Sequence, residues 1–252
     1  MSIQPLGSIV ATPAVPPDLS QLSDIATVVD SNDPHLLHGG SYDSSMLCTG
    51  GVVVSGTDPC THQDMQRGIP TSGAVTGYPA TILTGAGCFG PQDLTALQAD
   101  ALRNSDVRTN RLIQDNIIGI IPRASFNSRV AAKKYGAMGD AEAVARCEYY
   151  GRPVIHVHPR LADPWMGHQI IRVGRHLETV AGAYISLNCN LADTEIAITG
   201  ALTIYKGPNR VLPVLKSHHA VSGLPLNQWF VPVQTSVTVF NDCNFAVLLT
   251  GV

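Results

Sequence analysis

Charge is what this sequence has least of. Asp, Glu, Lys and Arg make up 14% of its 252 residues, against the usual quarter. A free monomer ordinarily carries more surface charge, so the shortage points to a surface covered by other subunits. Lysine is confined to Lys133, Lys134, Lys206 and Lys216. A net charge of −3 excludes the basic footprint of a tight nucleic-acid binder. It does not exclude a protein that encloses DNA without gripping it. None of Cys48, Cys60, Cys88, Cys147, Cys189 and Cys243 forms C-x-x-C or a zinc-type spacing. The opening MSIQPLGSIVATPAVPPDLS has no charged n-region and no continuous apolar h-region, so a signal peptide is not expected. No apolar run approaches a membrane span. The cysteines are then expected to be reduced, buried, small apolar residues of a cytoplasmic product; the alternative is a Cys48–Cys60 bridge closing a loop. G-x-S-x-G, the P-loop and H-E-x-x-H are all missing. No catalytic, cofactor-binding or metal-binding residue is assigned, and the chain is expected not to be an enzyme.

What is present is a core-forming composition, 44% hydrophobic, in a chain long enough to bury it. The stretch Tyr78–Gly119 organises the rest. Tyr78–Thr84 has the β-branched and aromatic residues of a half-buried strand. Gly85, Gly87 and Gly90 read as a turn, and Pro91 suits the first position of a helix. From Gln92 to about Ile117 no Pro or Gly intervenes, and Leu94, Leu97, Ala101, Leu102, Leu112, Ile113 and Ile117 approximate a 3.6-residue stripe. Ser105, Arg108 and Thr109 interrupt it, which predicts a helix whose middle is outside any deep core. Gly85-Ala86-Gly87-Cys88-Phe89-Gly90 also matches G-x-G-x-x-G. A dinucleotide site would need an acid after a second parallel strand, yet Asp106 and Asp115 fall within the helix. The structural turn is the preferred reading.

Residues 1–45 are rich in Pro, Ser and Asp and read as an arm that is either disordered or held by a partner. MLCTGGVVVSG and GAVTGYPATIL flank a polar, turn-rich segment and read as a long hairpin. Asp140 and Gly151 bracket a helix over Ala141–Tyr150, Pro153–His158 reads as a buried strand, and Asp163-Pro164 starts a helix to Val173. The remainder reads as strands. The order is that of an α+β protein, not a doubly wound sheet.

Four groups of polar residues carry chemical alternatives. His156 and His158, two apart on a strand, share a face and could begin a metal site with His168 or His176; the bland reading is a polar face near a subunit contact. His218 and His219, being adjacent, diverge. Asp140/Glu142 and Asp193/Glu195 sit at element starts, where acids favour the helix dipole or solvent. Arg103, Arg108 and Arg111 interleave with Asp100, Asp106 and Asp115. They read as solvated pairs along one helix or as partners for carboxylates of another subunit, as does Arg67 in the hairpin.

The order of parts resembles the major capsid proteins of tailed double-stranded DNA phages, the Hong Kong 97-type fold, and among them the short capsid proteins of actinobacterial phages. Three patterns carry the resemblance: Tyr78–Cys88 leading into the long helix, Pro153–Arg160 followed by a helix and a strand, and the ending Ser236–Cys243 before a last apolar strand. It implies an α+β fold with a 1–45 arm and a 46–77 extended loop overlapping a neighbour. It also implies a peripheral domain with the spine helix from 78–124 and 196–222, and an axial domain from 125–195 and 223–252. The function implied is a shell protein that self-assembles into hexamers and pentamers of an icosahedral shell around double-stranded DNA. The implied partners are itself, a portal, scaffolding or decoration proteins and DNA held non-specifically, with no membrane; the place is the virion, assembled in the host cytoplasm. No lysine precedes Lys133, so the isopeptide crosslink that some members form from the extended loop is not available here. An encapsulin-like compartment is the alternative within the fold; a nucleotide- or metal-dependent enzyme is the alternative outside it.

Overall fold

Two sheets share one long helix in the computed structural model, which describes residues 22–34, 40–43, 74–89, 93–122, 126–131, 137–149, 151–217, 228–242 and 244–250. The chain enters through a single turn, α1 (Leu22–Ile25), and a strand, β1 (Ala26–Asp30). Leu22 and Ile25 are buried and join the core cluster that includes Ile113 and Ile117 of the long helix. After β2 (Gly40–Asp43) comes β3 (Ala74–Phe89).

β3 runs straight through Gly85 and Gly87, where a turn was expected. The reason lies elsewhere in the chain. β13 (Gln228–Asn241) pairs antiparallel with β3 from Gln228↔Phe89 to Phe240↔Gly77. The two glycine stretches lie under its aromatic rings. A Cβ on Gly77 would stand 2.4 Å from Phe240, and one on Gly85 would stand 2.3 Å from the Val231 carbonyl oxygen. Glycine is there for close approach, not for chain reversal.

The helix is α2 (Leu94–Ile120), 27 residues and about 40 Å long at 1.5 Å per residue. Asp93 caps it, its carboxylate accepting the Thr95 N–H at 2.9 Å. The expected start at Pro91 lies outside the described residues. Its first half packs Leu97 and Ala101 on Val231 and Val233 of β13. Its second half sets Ile113, Ile117 and Ile118 among residues of both sheets, from Val237 and Val239 to Val154 and Ala197. Between these two clusters the middle buries one face only, with Asp106 and Arg108 exposed. Ser105 and Thr109 are fully buried, their hydroxyls 3.3 Å apart. Small hydroxyl side chains that bond each other can line a close helix–sheet contact.

The first sheet has the order β1–β10–β13–β3–β2, where β10 is Leu202–Lys206; β11 (Arg210–Val211) and β12 (Leu215–Ser217) also pair with β13. The second is built from β4 (Asn127–Ala131), β5 (Val154–Val157), β6 (Ile170–Val173), β7 (His176–Thr179), β8 (Tyr184–Leu187), β9 (Glu195–Thr199) and β14 (Asn244–Thr250). Its order is β4–β14–β9–β5–β8–β7–β6. β5 and β9 are buried along their whole length, as strands covered on both faces must be. One face meets α2. The other packs Ile155, Ile185, Ile196 and Ile198 under α3 (Ala137–Glu148) through Met138 and Ala141.

β9 sits in the second sheet and β13 in the first, where it runs beside β3 as one continuous ladder. The chain crosses between sheets at Gly200–Ala201 and again after Asn241. Tyr149 Oη accepts the Ala201 N–H at 2.9 Å and Asn241 Oδ1 accepts the Gly200 N–H at 3.1 Å. The helix expected over 163–173 is also absent. Pro159–Ala162 forms a short α4, Asp163–Trp165 a single 3₁₀ turn, and Ile170–Val173 is β6, paired with β7. The Asp-Pro start signal is local, and the hairpin overrides it. α3 begins four residues before the expected Ala141.

Candidate functional site

The histidines do not converge. His156, on β5, is fully buried and its Nε2 lies 3.0 Å from Thr199 Oγ1. Burial alone pushes its pKa down to about 3, so the ring is neutral. His158 falls one residue past the strand, where its Nδ1 accepts the Arg160 N–H at 3.2 Å and caps α4. The two-residue period that would align them ends with the strand. His168 is exposed. His176 bonds Glu178 and stacks edge-on against Tyr184, ring centroids 5.3 Å apart. Among the described residues no three His, Cys, Asp or Glu side chains gather in a metal-binding arrangement.

Among the described residues, Glu178 holds the densest ionic cluster. It accepts from Arg152 as well as His176, and Arg152 lies 3.7 Å above the Tyr184 ring and donates to the Gly182 carbonyl at 2.7 Å. Burial raises the Glu178 pKa, but the hydrogen bonds from His176 and Arg152 outweigh it and hold the carboxyl below its ordinary range. Every member is occupied by another, which makes this a clamp across β7, β8 and the entry to β5. Sequence spacing gave no signal for it, because Arg152 and Glu178 are 26 positions apart.

The arginine–aspartate row divides. Arg103 pairs with Asp100 at 3.2 Å, the solvated pair expected along one helix, whereas Arg111 pairs with a largely buried Asp115 at 2.9 Å. Asp106 instead accepts from Asn209 Nδ2 at 2.7 Å, and Asn209 accepts from the buried Thr235, which ties the helix to the sheet. Arg108 is exposed; Arg67 lies outside the described residues, as do Cys48, Cys60, His218 and His219. Cys189 is exposed and Cys88 partly so, not buried as expected; Cys189 Sγ accepts from Arg111 Nη2 at 3.4 Å. Of the acid pairs, Glu195 is buried and Asp193 exposed.

What remains as candidate functional surface includes two stretches with exposed apolar side chains, the second of which also exposes Arg172 and Arg175. β3 and β13 contain no Asp, Glu, Lys or Arg. On the sheet face away from α2, Pro79 and Thr81 are exposed and Leu83 is 62% exposed. Four of the eight exposed large hydrophobics among the described residues lie between Met166 and Val180, around the free edge of β6. Such surfaces fit contacts with other protein chains better than a reaction.

No protein-family profile matches this chain, and no curated protein matches it. Solved structures do. The capsid of an empty GTA particle, computed with C5 symmetry, is 13% identical with a TM-score of 0.51, over 99% of this chain and 96% of that one. The capsid of the native GTA particle gives 13% and 0.50 over the same shares. A chain of Mycobacterium phage Adephagia gives 13% and 0.47, over 100% of this chain and 95% of that one. The GTA likeness fixes the class of fold: this chain is α+β, with the Hong Kong 97-type capsid architecture.

Proposed function

We infer that the chain is a major capsid protein, whose copies form the hexamers and pentamers of an icosahedral shell around double-stranded DNA. The observation that carries this reading is the end-to-end fold correspondence with a capsid subunit, over 99% of this chain. On this reading the role is structural, and the place is the virion, assembled in the host cytoplasm. The further partners are a portal, scaffolding or decoration proteins, and DNA held without sequence preference. The unit of β3, β13 and α2 is the peripheral domain, the second sheet the axial domain, and the segment between Asp43 and Ala74 the extended loop that reaches a neighbour. Association is the mechanism, each contact stabilising the copies on both sides.

Sedimentation of the purified full chain tests this reading. Ring-sized or shell-sized species are expected at physiological salt. A stable monomer at high concentration would overturn it.

A further inference from the structure

We propose that a buried water molecule bridges His156 Nδ1 and Ser186 Oγ inside the second sheet. The two residues are direct partners in the parallel β5–β8 ladder, so their side chains leave the same face of the sheet, about 4.8 Å apart at the backbone. Both are fully buried. The other ring nitrogen is engaged, Nε2 with Thr199 Oγ1 at 3.0 Å. Nδ1 of His156 and Oγ of Ser186 have no protein partner, and they do not bond each other.

A buried polar atom without a partner is rare in native proteins, and two on adjacent strands facing one way are rarer. A single water answers both. It needs two to four polar partners and a polar surrounding. The layer between this face and α2 is polar as well as apolar: Gln114, fully buried on α2, donates to the Leu187 carbonyl at 3.2 Å. A hydroxyl rotates to donate or accept, and a neutral imidazole presents one donor and one acceptor nitrogen. The water can therefore complete either tautomer of His156, and the water-linked trio of His156, Ser186 and Thr199 joins β5, β8 and β9 through their side chains.

A map of the folded protein that resolves ordered solvent, in whatever assembly it adopts, tests the proposal independently of the capsid reading. The expected result is one solvent peak within hydrogen-bonding distance of both Nδ1 and Oγ in every copy. In Ser186→Ala, a substitution small enough to keep the strand, the peak should vanish or lose most of its occupancy while His156 keeps its contact with Thr199. Either of two results overturns the proposal: no peak between the two atoms in the wild type, or Nδ1 and Oγ in direct contact.

Discussion

Acid should loosen the second sheet through His156, by an amount the structure sets. The ring is fully buried, and burial lowers its pKa from 6.5 to about 3. Above pH 6.5 it is neutral in both folded and unfolded chains and contributes no pH dependence. Below that value the unfolded chain binds a proton that the folded chain refuses. Stability therefore falls with pH from 6.5 until the folded ring titrates near 3. One pH unit is worth about 1.4 kcal/mol, so the loss attributable to this residue approaches about 3 kcal/mol at pH 4 and about 5 kcal/mol at the end of the interval. Chaotrope unfolding of the wild type and of His156→Gln, in the same assembly state from pH 7.5 to 4, isolates the effect. The carboxylates titrate in both proteins and cancel in the difference. The glutamine variant, able to bond Thr199 but not to protonate, should lose less stability with acid. Parallel curves would refute the reasoning.

Three further outcomes follow from the packing. Gly85→Ala places a methyl 2.3 Å from a backbone oxygen of the partner strand, which only backbone movement can relieve; a loss of about 2 kcal/mol or more is expected in thermal unfolding. Ile117→Ala, at a fully buried site facing both sheets, should cost about 2–5 kcal/mol, whereas Arg103→Ala, whose ion pair is 41% and 48% exposed, should change stability by under about 1 kcal/mol. Asp43 and Ala74 are ladder partners, so Thr57–Pro70 can be replaced by a short glycine linker without separating the strands. Circular dichroism should show the subunit fold retained and sedimentation should show shell yield reduced; normal yield would remove the extended loop from the assembly mechanism.

The long helix was legible because its information is local: an apolar stripe from Leu94 to Ile117 with no proline or glycine to break it. The buried face of its middle was not. Ser105 and Thr109 read as a polar interruption, and only the facing sheet makes small hydroxyls a good fit. The same limit hid the course of β3. Three glycines within six positions signal a turn unless one knows that Phe230, some 145 residues later, lies across Gly85 and Gly87. The position of β13 was hidden for this cause too, since it depends on a ladder that no short window contains. Of the candidate site, the histidine pair was read as two apart on one strand, but the strand stops at Val157 and His158 caps the next helix instead. The Arg152–Glu178 clamp joins distant segments and left no trace in spacing. The scarcity of charge was the most useful sequence signal, because the bare β3–β13 face is where it is concentrated.

Electron microscopy of the full chain, expressed alone and then with any scaffold its assembly needs, tests the central claim most directly. The account predicts closed particles of uniform diameter with fivefold vertices, built from rings of this chain. A homogeneous small species under both conditions, with no rings and no shells, would contradict it.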